Sequence, residues 1–155
     1  MEISYLCAAR GQDVRAIMLS DLSDQGIYIQ QIKTKKKQIK LWTPRLREAV
    51  DLAMKIRRPI LARKKISSLF LIVNRFGSPY TDTGLKSIWR TNRSRIAAGK
   101  DLTIDWTYHD IKAKGISDFE GDKQAFSGHK SRLQMERYNR KAELVPTLDT
   151  PKPEG

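Results

Sequence analysis

The 155-residue chain has one cysteine, Cys7, and two histidines, His109 and His129. A lone cysteine excludes an intramolecular disulfide and any cysteine-rich metal site. No carboxylate or histidine cluster has the spacing of a metal site either, so no metal or other cofactor is expected. Nothing approaches the roughly 18 continuous apolar residues of a membrane span, and the N-terminus lacks the apolar core of a secretory signal. There are no internal repeats. Acidic side chains are few, 17 against 30 lysines and arginines, which leaves a formal charge of +13. A globular chain this basic, with a pI near 10.0, points to a polyanion as partner, and nucleic acid is the usual one. The plainer alternative is a merely soluble basic protein. The expectation is one soluble, cytoplasmic domain of ordinary size.

In chain order, residues 3–9 carry Ile3, Leu6 and Cys7 at helical spacing, and Asp13 is placed to cap a second helix with Val14, Ile17 and Met18 on one face. Ile27 to Ile32 and Gln38 to Trp42 read as two strands, joined by the cationic turn Lys33-Thr34-Lys35-Lys36-Lys37. Thr43-Pro44 is a strong helix start. Leu46, Ala49, Val50, Ala53 and Met54 mark an amphipathic helix expected to stop before Pro59, with 57–65 a basic connector. Leu69 to Val73 is a short apolar run, a buried strand or turn. Thr83 opens a helix with Leu85, Ile88, Trp89 and Ile96 inward and Lys86, Arg90, Arg93 and Arg95 largely off that face, closed by Gly99. Thr107 to Asp110 is a capping box by residue type, which puts His109 in a helix's first turn. Trp42, Trp89 and Trp106 are assigned to packing. Pro146 onwards, with Pro151 and Pro153, reads as a disordered tail. The fold class is therefore α+β, mostly helical with a small antiparallel hairpin.

Gly128-His129-Lys130-Ser131, followed by Tyr138, is the segment with the clearest chemistry. On one straight helix nine residues make two and a half turns, so His129 and Tyr138 would face opposite sides. They converge only if the chain breaks between them. Gly128 can end one helix, and Ser131 to Gln134 reads as a capping box opening the next.

This segment resembles the C-terminal active-site segment of tyrosine recombinases, the phage-integrase family, whose tyrosine is the DNA-cleaving nucleophile. Ala8-Ala9-Arg10-Gly11-Gln12-Asp13 resembles the family's first arginine box, with the glycine after the arginine instead of before it. Lys33-Thr34 resembles the active-site lysine of the hairpin turn. His109 and Lys112, which share a helix face, resemble the His-x-x-Arg box with lysine in place of the second arginine. Arginine grips phosphate with a planar fork, whereas lysine offers a flexible point charge. The segment between His109 and His129 is also short for the family. The likeness covers about residues 6–145, and five boxes stand in the right order.

The resemblance implies a tyrosine-recombinase catalytic domain over 1–145, followed by a disordered tail over 146–155. With only nine residues before Arg10, the family's separate DNA-gripping domain is expected to be absent and the start of the catalytic domain clipped. Tyr138 would attack the scissile phosphate to give a 3′-phosphotyrosyl link, without metal or ATP. Arg10 and Lys112 would hold the non-bridging oxygens. His109 and His129 would hydrogen-bond the phosphate and assist proton transfer, and Lys33 would protonate the leaving oxygen. Lys35, Lys36, Lys37, Arg90, Arg93, Lys130 and Arg132 are the expected DNA-binding side chains. The expected partner is double-stranded DNA in a bacterial host's cytoplasm, with a tetramer formed by exchange of C-terminal segments.

Ordinary structural roles compete at each position: a salt bridge for Arg10, a solvated turn for the lysines, helix-end roles for His109 and His129, and core packing for Tyr138. Tyr5, Tyr28, Tyr80 and Tyr108 are rival nucleophiles, but only Tyr138 has the spacing from a Gly-His. Two other functions remain. One is a DNA-binding remnant that no longer cleaves. The weaker one is a metal-free ribonuclease-like enzyme using both histidines, which leaves Tyr138 and the charged hairpin unexplained. Because few apolar residues flank Tyr138, its segment is expected to be loosely held. The tyrosine would then lie away from the Arg10–His109–His129 cluster, or dock on a neighbouring molecule.

Overall fold

A computed structural model describes residues 1–100 and 103–142. Its elements are α1 (Glu2–Leu6), α2 (Gly11–Arg15), β1 (Gly26–Gln30), β2 (Lys37–Leu41), α3 (Pro44–Lys64), α4 (Asp82–Lys100), α5 (Tyr108–Asp118), α6 (Lys123–Ser127) and α7 (Arg132–Glu136), with a 3-10 turn at Leu19–Asp21. The two strands pair antiparallel, Tyr28 opposite Ile39 and Gln30 opposite Lys37. A mostly helical fold with one small hairpin is what the sequence pattern led us to expect.

The main core joins α1, α2, the hairpin and α3 through Ile3, Cys7, Val14, Ile17, Ile27, Ile29, Leu46, Val50 and Leu71. A second, smaller cluster sets Ala8, Ile116 and Met135 against Phe126 and Tyr138, and it holds the C-terminal elements to α5. Gly115 lets α5 press onto α1: a Cβ there would lie 2.3 Å from the Tyr5 carbonyl oxygen.

Several boundaries differ from the sequence reading; the first strand, expected to reach Ile32, ends at Gln30, and the second spans Lys37–Leu41 instead of Gln38 to Trp42. Asp13 is not the cap of α2. It sits one turn in, and its carboxylate accepts from the backbone N–H of Arg10, the true N-cap residue. Helix α3 starts on Thr43 as expected but runs through Pro59 to Lys64. The carbonyl that loses its donor belongs to Lys55, on the exposed face where water can replace it. Beyond it, buried Arg57 anchors the helix by donating to the Ser68 carbonyl at 2.6 Å. Lys65, in the left-handed region at φ 53°, ends the helix.

Helix α4 continues through Gly99 and buries none of its residues. Ile88 and Ile96 are exposed, because the described residues supply no layer to cover them. Leu85 and Trp89 do find partners, the latter packed at a tilt against Trp106 with ring centroids 4.7 Å apart. Finally, α7 ends at Glu136. The expected extension towards Leu144, like the tail, lies at least partly outside the described residues.

Gly115→Ala tests the α1–α5 contact. Alanine is the better helix former by about 1 kcal/mol, but its methyl meets backbone that has nowhere to go. We expect a net loss of about 1–3 kcal/mol in denaturant unfolding. A gain would show that α1 does not press on α5.

Candidate active site

The break expected between His129 and Tyr138 is present. Asp122 caps α6 by accepting from Ala125 N–H, and Gly128 leaves the helix in the left-handed region at φ 67°. His129 follows, and Ser131 then caps α7 by accepting from Gln134 N–H at 3.3 Å. Tyr138 lies in the turn just past α7, its N–H bonded to the Met135 carbonyl. The chain thereby folds back until the rings of His129 and Tyr138 lie 4.7 Å apart.

Helix α5 brings the second histidine to the same place. Thr107 and Asp110 form the capping box, and Arg140 reaches Asp110 at 2.5 Å. Hydrogen bonds from Thr107 and the pairing with Arg140 hold the Asp110 carboxyl down to about 2. His109, in that first turn, places Nε2 3.2 Å from the Tyr138 hydroxyl.

The expectation that Tyr138 is displaced is therefore wrong. Its segment is held less by apolar burial than by polar bonds. Ser117 Oγ approaches the Tyr138 carbonyl at 3.3 Å and accepts from Arg140 N–H at 2.8 Å, while Lys123 bridges the Ser117 carbonyl and the Asn139 side chain. Such bonds each contribute about 1 kcal/mol, and the sequence pattern of apolar residues does not reveal them.

Arg10 and the cationic turn come together through Asp13. One carboxylate oxygen of this buried aspartate accepts from Arg10 N–H and the other from Ile32 N–H at 2.9 Å, directly before Lys33. Arg10, Lys33, Thr34, His129, Lys130, Gln134, Arg137 and Tyr138 line one cleft of about 370 Å³. Of these, Thr34, Gln134 and Arg137 are not among the site residues expected from the sequence. Arg137 had a signal, a further cation beside the tyrosine in a basic run.

Lys112 is close by but not in the cleft. It is 1% exposed, lies under the Tyr138 ring at 5.8 Å, and donates to the Ser127 carbonyl at 3.4 Å. Burial first, then the charge of Arg10, lowers it to about 7. The same two influences, with Lys112 added, bring His129 down to about 4, and burial followed by Arg10 lowers His109 as well. The His129 Nδ1 lies 2.7 Å from Ser127 Oγ, while its buried Nε2 has no partner among the described residues.

The remaining expected DNA contacts scatter. Lys35, Lys36 and Lys37 are exposed on the turn. Arg132 pairs with Glu136 at 3.0 Å. Arg90 and Arg93, on α4, do not line the cleft, and Arg93 donates to the Trp106 carbonyl.

No family model matches the chain, and no curated protein matches its sequence. Solved structures do match its fold. A lambda integrase (75–356) dimer bound to a COC′ core site aligns with TM-score 0.67 at 21% identity, over 94% of this chain and 53% of that one. XerA recombinase aligns with TM-score 0.71 at 15% identity, over 92% and 52%. The Tn1549 transposon integrase in complex with transposon right-end DNA aligns with TM-score 0.71 at 13% identity, over 91% and 53%. The chain thus has the fold of tyrosine-recombinase catalytic domains and spans about half the length of each of these three chains. Among the described residues no helix is long and apolar enough to cross a membrane.

The buried Lys112 has a consequence for stability. Unfolded, it holds its proton up to its ordinary 10.5, whereas folded it releases it near 7. Across that window the unfolded chain binds more protons, so stability rises with pH. Lys40, lowered by burial to about 8, acts in the same direction. Cys7, which burial raises from 9.0 to about 11, begins to oppose them above its ordinary value. Melting temperature should climb between these limits, and Lys112→Met should flatten the climb. An identical climb in both proteins would mean that Lys112 keeps its proton when folded.

Proposed function

We propose that this chain carries the strand-cleaving and rejoining centre of a site-specific DNA recombinase of the tyrosine class. The observation that carries the reading is the Tyr138 hydroxyl 3.2 Å from His109 Nε2, beside a cleft it shares with Arg10, Lys33 and His129. The solved proteins of this fold cited above include two captured on DNA, and another is a lambda integrase tetramer on a Holliday junction.

The chemistry follows from the placement. A DNA phosphate seated in the cleft meets the Arg10 guanidinium. Its other donor is His129 Nε2–H, the tautomer that results when Ser127 donates to Nδ1. Neutral His109 takes the phenol proton as the Tyr138 oxygen bonds to phosphorus. The bond from phosphorus to the 5′-oxygen breaks, and Lys33 gives that oxygen a proton. The products are a 3′-phosphotyrosyl enzyme and a free 5′-hydroxyl. Attack by a 5′-hydroxyl runs the steps backwards, so the covalent link conserves the energy needed for rejoining. Lys112, uncovered when Tyr138 swings onto the phosphate, supplies a further positive charge. By the sequence resemblance it takes the place of the family's second arginine. Assembly as a tetramer on DNA, through exchange of the segment after Tyr138, belongs to the same reading.

The second reading is a DNA-binding remnant that does not cleave. Its support is Lys112, buried and lowered to about 7, which by the sequence resemblance replaces a permanently charged arginine.

Incubation with nicked suicide duplexes, in the presence of a chelator, separates the two. Cleavage predicts a covalent protein–DNA adduct that Tyr138→Phe abolishes and Lys112→Arg preserves or increases. Removing a preorganised donor costs about a hundredfold or more in rate, so Lys112→Ala should fall by that order. Duplex affinity should fall with salt at a log–log slope of about −0.9 per phosphate contacted. Steep salt dependence with no adduct from any variant would select the remnant. Adducts persisting in Tyr138→Phe would reject the nucleophile.

A further inference from the structure

We infer that Gln31 is the positioning residue of this site, a buried amide that ties the Lys33 turn, Arg10 and the His129 segment into one unit. The inference rests on the recombinase reading for its chemistry but on geometry for its existence. Gln31 is 2% exposed and does not line the cleft itself. Its side-chain oxygen accepts from Arg10 Nη1 at 3.0 Å and from Thr34 Oγ1 at 2.9 Å. Its nitrogen donates to the Ser127 carbonyl at 2.8 Å and to Gln38 Oε1 at 3.4 Å. Arginine can only donate, which fixes which end of the amide faces it. All four bonds a glutamine amide can make are therefore spent, and three of the partners belong to the site.

The backbone of Gln31 repeats the connection. Its carbonyl accepts from Lys35 N–H and its N–H donates to the Lys36 carbonyl, both at 2.8 Å, closing the cationic turn. Gly128 completes the fit on the other side. A Cβ there would come within 2.4 Å of Gln31 Nε2 and 2.6 Å of Gln38 Oε1, so the segment carrying His129 lies directly on the amide. Ser127, held by Gln31 through its carbonyl, holds His129 through its hydroxyl. A hairpin turn drawn towards a DNA backbone thus carries Arg10 and His129 with it. An ordinary buried glutamine in a core would need partners of any kind; this one joins Arg10, the cationic turn and the segment that leads into His129.

The coupling predicts what happens when the amide is replaced by a side chain of similar length without polar ends. In Gln31→Met the Ser127–His129 segment should loosen and water should reach the ring. The proton-linked NMR shift of His129 should then move up from about 4. A rise of about one pH unit or more is expected, with the His109 midpoint moving less. In the same variant, adduct formation at saturating DNA should slow about tenfold or more, with melting temperature showing the protein still folded. If Gln31→Met does not fold, Thr34→Val removes one of the four bonds from the exposed side. It should shift His129 the same way by less. An unmoved His129 midpoint in the folded variant overturns the coupling. So does a shift shared equally by His109, which marks general loosening. Should the unaltered protein form no adduct, the recombinase reading falls, while the His129 titration still decides the coupling.

Discussion

The site depends on how the end of a five-residue helix is satisfied. Helix α6 stops at Ser127, leaving its last carbonyls without intrahelical donors. A helix this short does not hold itself. The hairpin supplies the missing donors: Gln38 to Ala125, Lys40 to Phe126 and Gln31 to Ser127, one side chain for each successive carbonyl. Lys112 adds a longer bond to Ser127 from α5. Leaving the buried Ser127 carbonyl unpaired would cost about 1–3 kcal/mol. The matching of three donors to three acceptors therefore fixes where Gly128 turns and where His129 points.

The cost of this arrangement is electrostatic. Buried Lys112 feels the charges of Arg10, which lines the cleft, and of Lys40, with the buried carboxylate of Asp13 acting against them. Burial and mutual repulsion resolve the conflict by weakening protonation: Lys112 falls to about 7, and both histidines are held neutral. A phosphate is the natural complement. It brings negative charge to a place that has positive charge in excess, and it finds a neutral His109 already against the tyrosine hydroxyl. Preorganisation of this kind is what lets a site act on a phosphodiester with side chains alone.

Much of this was legible in the sequence because it is local. Thr43-Pro44, the Gly128 stop, the Ser131 cap and the alternation of the hairpin are written within a few residues of where they act. What was not legible is tertiary. Gln31 continues the inward alternation of Ile27 and Ile29, and a polar residue at such a position is a signal, but its partners come from three stretches: the start of α2, its own hairpin and the end of α6. The polar anchors of Tyr138 at Ser117, Lys123 and Arg140 are likewise set by how α5 and α6 meet, so counting apolar residues around the tyrosine gave the wrong answer. Pro59 misled for the opposite reason. A strong local rule yielded to an exposed helix face that tolerates one missing bond.

The central claim is that Tyr138, and no other tyrosine, takes the DNA phosphate. Mass spectrometry of a nuclease- and protease-treated adduct from a suicide substrate tests this most directly. The account predicts a nucleotide on the peptide containing Tyr138, joined through its 3′-phosphate, with the other DNA end a free 5′-hydroxyl. A nucleotide on Tyr5, Tyr28, Tyr80 or Tyr108, or a link through the 5′-phosphate, would contradict it.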